Sequence, residues 1–325
     1  MVFDGTWFVH IAFLIAIGVS VFSVIGFLTY KPFLYLTANF TPASRLIMLR
    51  GYIFMPLIGG LVLAAMAKAP SIFHDTGLPI DHCHNEFGCF GREQNHIPTS
   101  TELLVLLVLL SCFALPFIRM VGHKHRSDKL VKNILTHSTQ LDGRKAQVIE
   151  TPEVFAFSVG YLKPIIVISR GLLHTLDAKQ VDIVLAHEHA HTHHKDNLMK
   201  QISRIAACLH TPWCRKALLE HHNLCLELRA DQQTQGDHWS NLDVAQTILN
   251  VHKASRRFKN NDLSLVVSFL GHAVEKRVEA LLEEHPQKHL GHLTITMLVV
   301  TALFLASLTA VPYHNFLERL FQTLP

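Results

Sequence analysis

Long apolar runs alternate with polar segments along the chain, and four of these runs are long enough to cross a membrane. Each approaches the roughly 20 consecutive apolar residues that a bilayer-spanning helix needs. The four runs cover 8–30, 47–67, 103–118 and 293–311. The third is the shortest, but its unbroken aliphatic stretch at 103–110 and the closing Arg119 favour a span over a buried core helix. The pattern predicts a mostly α-helical integral membrane protein.

Composition agrees with this prediction, because 49% of the 325 residues are hydrophobic and only 17% are charged. Soluble domains carry about 25% charged residues. The predicted layout is a three-span membrane region at 1–118, a polar domain at 119–290, and a fourth span with a short tail at 291–325. The first run follows no Lys or Arg and is too long for the core of a signal peptide. It is predicted to be a retained anchor.

Basic residues near the span ends predict the orientation, because cytoplasmic loops are enriched in Lys and Arg. Lys31 and Arg45 flank the first short loop, and five basic residues follow the third span between 119 and 132. Loop 69–101 contains Arg92 against four acidic residues. We therefore expect loop 69–101 and both termini outside the cell, and the domain at 119–290 in the cytoplasm.

Inside the polar domain, the periodicity changes from short strands to helices. A strand is predicted at 146–150, and apolar runs at 154–158 and 164–169 around Gly160 predict a hairpin. The run 165–168 is a candidate edge strand beside the following helix, where an extended peptide could pair. A covered core strand fits the same residues. Helices are predicted over 178–194, 197–210, 215–233, 244–251 and 263–282.

The first long helix of this domain carries His-Glu-x-x-His, formed by His187, Glu188 and His191. Positions four apart lie on one helix face, so both imidazoles can reach one ion. Glu188 then projects beside it, where it can accept a proton from water. Asp177 is a plausible N-cap for this helix. A downstream helix offers Glu227 as a third ligand, which completes a two-His, one-carboxylate zinc site.

Other polar residues support this interpretation. Asp231 follows Glu227 by one turn, so it is expected to accept the outer N–H of a ligating His. Asp196 falls just past the motif helix and could orient a ligating His or cap local backbone. An additional oxyanion donor is expected, and His272 and Arg277 are candidates beside the alternative of ordinary surface or packing residues. Three neighbouring histidines are expected either to be solvated or to contact the ligating residues, and not to bind the metal themselves: His189, His193 and His194.

Loop 69–101 contains Cys83 and Cys89, which could form a disulfide outside the cell. Several histidines and four acidic residues lie close by in sequence, so a soft or borderline transition metal is the alternative ligand of this loop. Cys112, Cys208, Cys214 and Cys225 are interpreted as packing residues. The net charge is +4. No cluster of Lys and Arg alternates with aromatic residues that could stack on bases, so no direct nucleic-acid binding is expected.

These motifs resemble those of the BlaR/MecR family of membrane zinc metallopeptidases. The resemblance covers roughly 119–285 and the membrane layout. Its motifs are 156–168, His187 to Asp196, His210-Thr211-Pro212-Trp213, Glu227 with Asp231, and 276–282. One departure is Ala230 before Asp231, where the family pattern usually has Cys; Glu-x-x-Ala-Asp is closer to the related HtpX-type proteases.

The resemblance implies a zincin-like (gluzincin) α+β protease domain between the third and fourth spans of a bacterial inner-membrane protein. It further implies a signalling protease whose substrate is a cytoplasmic transcriptional repressor or the chain itself. Sensing of β-lactams is not expected, since the tail 312–325 is too short for the external penicillin-binding domain of family members that sense them. Two alternative functions stay open: an HtpX-like quality-control protease and a non-proteolytic His-rich metal sensor. Assembly as a homo-oligomer is compatible with any of these functions.

Overall fold

A computed structural model gives the fold of this chain. It describes residues 5–72, 131–141, 143–235, 239–257, 270–283, 288, 289 and 291, with eleven isolated helical positions between 104 and 129. The first two helices are α1, Gly5–Leu36, and α2, Pro42–Ile72. In the described part of the chain, both are long and apolar enough to cross a membrane, over Ile11–Leu36 and Pro42–Met66.

These two helices correspond to the first two predicted spans. The predicted fourth span, 293–311, lies outside the described residues, as do most of the third span and the loop with Cys83 and Cys89. The two helices approach closely where glycines face each other. A Cβ added to Gly18 would lie 2.7 Å from Cα of Gly60, so a side chain there would force the backbones apart. Small residues at such crossings are typical of packed membrane helices.

A small mixed sheet begins the polar domain. Its strands are β1, Thr139–Gln140, β2, Ala146–Ile149, β3, Ala156–Val159, and β4, Ile165–Ser169. Their order is β1-β2-β4-β3. β2 runs parallel to β4, whereas β1 pairs antiparallel with β2 and β3 antiparallel with β4. The predicted hairpin is therefore confirmed as β3 and β4, with Gly160 at φ 101° in its turn, a conformation that favours glycine.

The expectation that 165–168 forms an edge strand is wrong. β4 has β2 on one side and β3 on the other, and its residues from Ile166 to Ser169 are buried. This continuous burial explains its unbroken apolar sequence, which is typical of a strand covered on both faces. The edge next to β4 is β3, whose residues are only half-buried.

Helices make up the rest of the described domain. They are α3, Arg170–Thr175, α4, Ala178–His193, α5, Asp196–Ala206, a 3₁₀ turn Ala207–Leu209, α6, Pro212–Gln235, α7, Asn241–Arg257, and α8, Leu270–Leu282. Asp177 is the N-cap of α4, as predicted, and its carboxylate accepts the Gln180 N–H at 2.8 Å. α6 begins at Pro212, three residues earlier than predicted, because proline is tolerated in a first helical turn.

Two apolar clusters hold the site helices in position. The sheet packs on α4 through Val148, Ile168, Val181 and Leu185. A second cluster joins α2 to α6, with Leu46, Leu49 and Ile53 against Leu218 and Leu226. The helix that carries Glu227 is therefore packed directly on one of the two apolar helices.

Candidate metal centre

The two motif histidines face one another across one turn of α4. Nε2 of His187 lies 3.1 Å from Nε2 of His191, and the rings stand nearly perpendicular at 84°. Glu227 reaches this point from α6, with Oε2 at 3.4 Å from Nε2 of His187 and 3.7 Å from Nε2 of His191. One potential ligand atom from each of the three residues lies within 4.8 Å of the others. The structure therefore brings the predicted ligand set together.

Asp231 holds the outer nitrogen of His187. Its Oδ1 lies 2.9 Å from Nδ1 of His187. Arg277 donates two hydrogen bonds to the same carboxylate, one from Nε and one from Nη2, and both are 2.7 Å long. Nη1 of Arg277 also lies 3.4 Å from Oε2 of Glu227. Arg277, a candidate oxyanion donor by sequence, thus contacts two carboxylates of the site from α8.

A second set of three residues supports His191 in the same way. Nδ1 of His191 lies 2.8 Å from Oδ2 of Asp196, and Nη2 of Arg229 reaches both oxygens of Asp196 at 2.5 and 2.7 Å. Lys195, at φ 51°, makes the tight left-handed turn between α4 and α5 that returns Asp196 toward His191. For a non-glycine residue this backbone conformation costs about 1 kcal/mol. Of the two roles expected for Asp196, the structure favours orientation of a histidine.

These carboxylates assign the histidine tautomers. Since each Nδ1 faces a carboxylate acceptor, each ring keeps a hydrogen there, which leaves Nε2, on the side of Glu227, as the nitrogen that can bind a metal. A histidine that ligates a metal usually donates its other N–H to such a partner. Two nitrogen lone pairs and one carboxylate oxygen are the donor set of catalytic zinc sites with two histidines and one glutamate. The residues present therefore fit a metal ion.

The charged groups around the three candidate ligands favour a positive charge between them. Burial lowers the pKa of His191, but hydrogen bonds to Asp196 and Glu227 outweigh burial and raise it to about 10. Burial likewise raises the pKa of Glu227, but His187, His191 and Arg277 together hold it well below its usual range. The Glu227 side chain keeps a quarter of its surface exposed, so the cluster is open on that side.

Glu188 follows His187 on α4 and is buried. Its negative charge raises the pKa of both His191 and Arg277, after larger contributions from other groups, which is consistent with a carboxylate near the ligand cluster. Lys200 adds a further contact, with Nζ at 3.6 Å from Oε1 of Glu227. His272 belongs to α8, and its side chain lies outside the described part of the structure.

The neighbouring histidines lie elsewhere. His189 and His193 line an open cleft of ≈ 810 Å³ between the sheet and the opposite side of α4, and Nε2 of His194 lies 3.1 Å from Oε1 of Gln233. Arg229 and Lys200 were not predicted as residues of the site. The position of Arg229, two residues after Glu227, is only a weak signal, because its partner Asp196 is 33 residues away on another helix.

A His-Glu-x-x-His helix joined by a carboxylate from a second helix is an arrangement typical of metallopeptidases, and two helices of the described chain are apolar enough to cross a membrane. The sequence model of the family described as BlaR1 peptidase M56 matches residues 99–281, more than half of the chain. The chain belongs to this family of membrane-associated metallopeptidases, which confirms the resemblance noted from its motifs. No curated protein and no solved structure matches the chain.

Proposed function

We propose that this chain is a zinc-dependent endopeptidase anchored in the bacterial inner membrane, with its catalytic domain in the cytoplasm. The observation that carries the proposal is the convergence of two Nε2 atoms and one carboxylate oxygen within 4.8 Å. His187, His191 and Glu227 would hold Zn²⁺. When bound, the ion supplies Lewis-acid polarisation of the scissile carbonyl and lowers the pKa of water.

The residues of the chain divide the remaining work. Asp231 and Asp196 keep the two imidazoles turned inward, because each carboxylate accepts the Nδ1–H of one ring. Arg277 and Arg229 fix those carboxylates in turn. Glu188 accepts a proton from the attacking water at its carboxylate and delivers it to the leaving amine.

The expected substrate is a protein, either a cytoplasmic transcriptional repressor or the chain itself. Support for a signalling role comes from the family match and from the packing of α6 on α2, which joins the site to an apolar helix. The first two spans, the predicted third and fourth spans, and the orientation from basic loops together support a catalytic domain at the inner face of the membrane.

Measurements of zinc content and of substrate cleavage test two separate parts of this proposal. Glu188→Gln should keep zinc at the level of the unmodified chain and abolish cleavage, since it retains the ligands and removes the base. His187→Ala should lose both. His189→Ala is the matched control, because His189 lies on the same helix but lines the cleft on its other side. Zinc measured on the purified full chain, together with the abundance of cytoplasmic proteins in cells, provides both readouts.

The outcomes distinguish the alternatives. A repressor that disappears only with active enzyme supports signalling, whereas loss of damaged membrane proteins indicates the HtpX-like role. Processing that persists in Glu188→Gln would refute proteolysis by this site. Zinc binding without any cleavage by the unmodified chain would indicate a metal sensor.

A further inference from the structure

The polar domain docks on the sides of the two apolar helices rather than beyond their ends. Nε2 of His210 donates to the carbonyl of Ile53 at 3.2 Å, and the His210 ring stacks on Tyr52 with centroids 6.0 Å apart. Cys214 Sγ lies 3.9 Å from the carbonyl of Gly26. The turn from the 3₁₀ segment into α6 therefore meets the middle of α2 and the second half of α1.

The depth of this contact follows from helix geometry. Lys31 and Arg45 lie just beyond the ends of the predicted spans 8–30 and 47–67 on this side. Gly26 is four residues before residue 30, and Ile53 is six residues after residue 47, so at about 1.5 Å per residue both lie roughly 6–9 Å inside those ends. The docking contacts are therefore close to the border between the acyl chains and the headgroups.

The side chains displayed by this turn suit such a position. Trp213 is 71% exposed, and its ring centroid lies 6.4 Å from that of Phe27 on α1. Two exposed apolar residues of α1 are close to Phe27: Val24 lies one helical turn before it, and Leu28 follows it directly. In sequence, Trp213 is followed by exposed Arg215 and Lys216. Tryptophan concentrates at the membrane interface, where basic side chains reach anionic headgroups.

We propose that the segment 210–216 enters the membrane interface, with Trp213 at the boundary of the acyl chains and Arg215 and Lys216 directed to lipid phosphates. The proposal rests on the membrane location given under Proposed function. The contact adds a further point of attachment to the membrane, supplied by the polar domain itself. Glu227 lies fourteen residues further along α6, roughly 21 Å away. The helix therefore acts as a rigid spacer that keeps the metal centre close to the membrane surface.

Depth-dependent fluorescence quenching tests this proposal on the full chain. The protein has three tryptophans, so Trp7→Phe with Trp239→Phe leaves Trp213 as the sole emitter. The variant is reconstituted in vesicles of phosphatidylcholine and phosphatidylglycerol whose acyl chains are brominated either near the headgroup or near the methyl end. We expect strong quenching of Trp213 by the shallow bromines, weaker quenching by the deep ones, and poor access for aqueous acrylamide.

The matched control retains Trp239 alone. This residue packs against the cluster of Ile183 and Val244 on the polar domain, so neither brominated lipid should quench its fluorescence. Should the double variants fold poorly, Trp213→Phe in the otherwise native chain should remove the component quenched by shallow bromines. Emission from Trp213 that acrylamide quenches and bromine does not would overturn the interfacial anchor. Extraction with alkaline carbonate separates the two levels: protein released from the membrane refutes the spans, whereas retained protein with unquenched Trp213 refutes only the anchor.

Discussion

Arg277 provides the sharpest test of how the metal centre is supported. Replacement by Met keeps most of the apolar stem but removes both 2.7 Å hydrogen bonds to Asp231 and the 3.4 Å contact with Glu227. Asp231 is 1% exposed, so its carboxylate would be left buried beside His187 without its cation. It must then take up a proton or admit water, and either response weakens its hold on the Nδ1–H of His187.

Two magnitudes follow for Arg277→Met. Removing one partner of a buried pair costs about 3–5 kcal/mol of folding stability. Loss of a residue that supports a metal ligand weakens metal affinity about 10–100-fold, equivalent to roughly 1.4–2.7 kcal/mol. Zinc affinity is measured by competition with a chromophoric chelator, and stability by denaturant unfolding of the detergent-solubilised chain.

Arg144→Met is the matched control, because Arg144 also pairs with an acid, Asp182, which lies on the motif helix. That pair is short, 2.6 Å, but its side chains are 37% and 41% exposed. Exposed pairs contribute about 0–1 kcal/mol. Equal losses in Arg144→Met and Arg277→Met would refute the argument from burial. Reduced turnover with unchanged zinc affinity in Arg277→Met would instead favour the oxyanion role expected from sequence.

Three further predictions concern stability. Chelation should lower the midpoint of thermal unfolding, and added zinc at 100 times its Kd should restore about 2.7 kcal/mol of folding stability. An unchanged midpoint would show that the candidate ligands bind no metal. His222 is fully buried, and burial followed by the charge of Arg50 lowers its pKa from 6.5 to about 4. Because the folded state disfavours protonation of His222, its contribution to folding stability should be complete above pH 6.5, fall by up to about 3 kcal/mol between pH 6.5 and pH 4, and change no further below pH 4. His222→Asn should reduce this loss. Gly60→Val should destabilise the contact with α1 by roughly 1–3 kcal/mol in unfolding assays, whereas Gly51→Ala, with nothing within 4 Å, should be neutral.

Local patterns were sufficient to predict which residues the structure brings together at the candidate metal centre. His187 and His191 are four apart on a helix, and Asp177 caps that helix as its sequence suggests. Glu227 and Asp231 are also four apart, so both face α4 once either does. The hairpin of β3 and β4 was equally local, because Gly160 separates two apolar runs.

Features that depend on contacts distant in sequence could not be predicted in this way. The apolar run of β4 is compatible with an edge or a central strand, and only the parallel pairing with β2 decides between them. β1 is two exposed residues long, which is too short to show alternation. The partner of Asp196 depends on how α5 packs against α6, since Arg229 lies on the second of these helices.

The candidate metal centre depends on the position of α6. His187 and His191 share one helix and keep their spacing wherever that helix lies, but Glu227 reaches them only if α6 is correctly placed. α6 is placed by α2, through the cluster around Leu49 and Leu218 and through the contact of Nε of Arg50 with Nε2 of His222 at 3.5 Å. Metal binding and the packing of α6 on α2 must therefore stabilise each other by the same free energy.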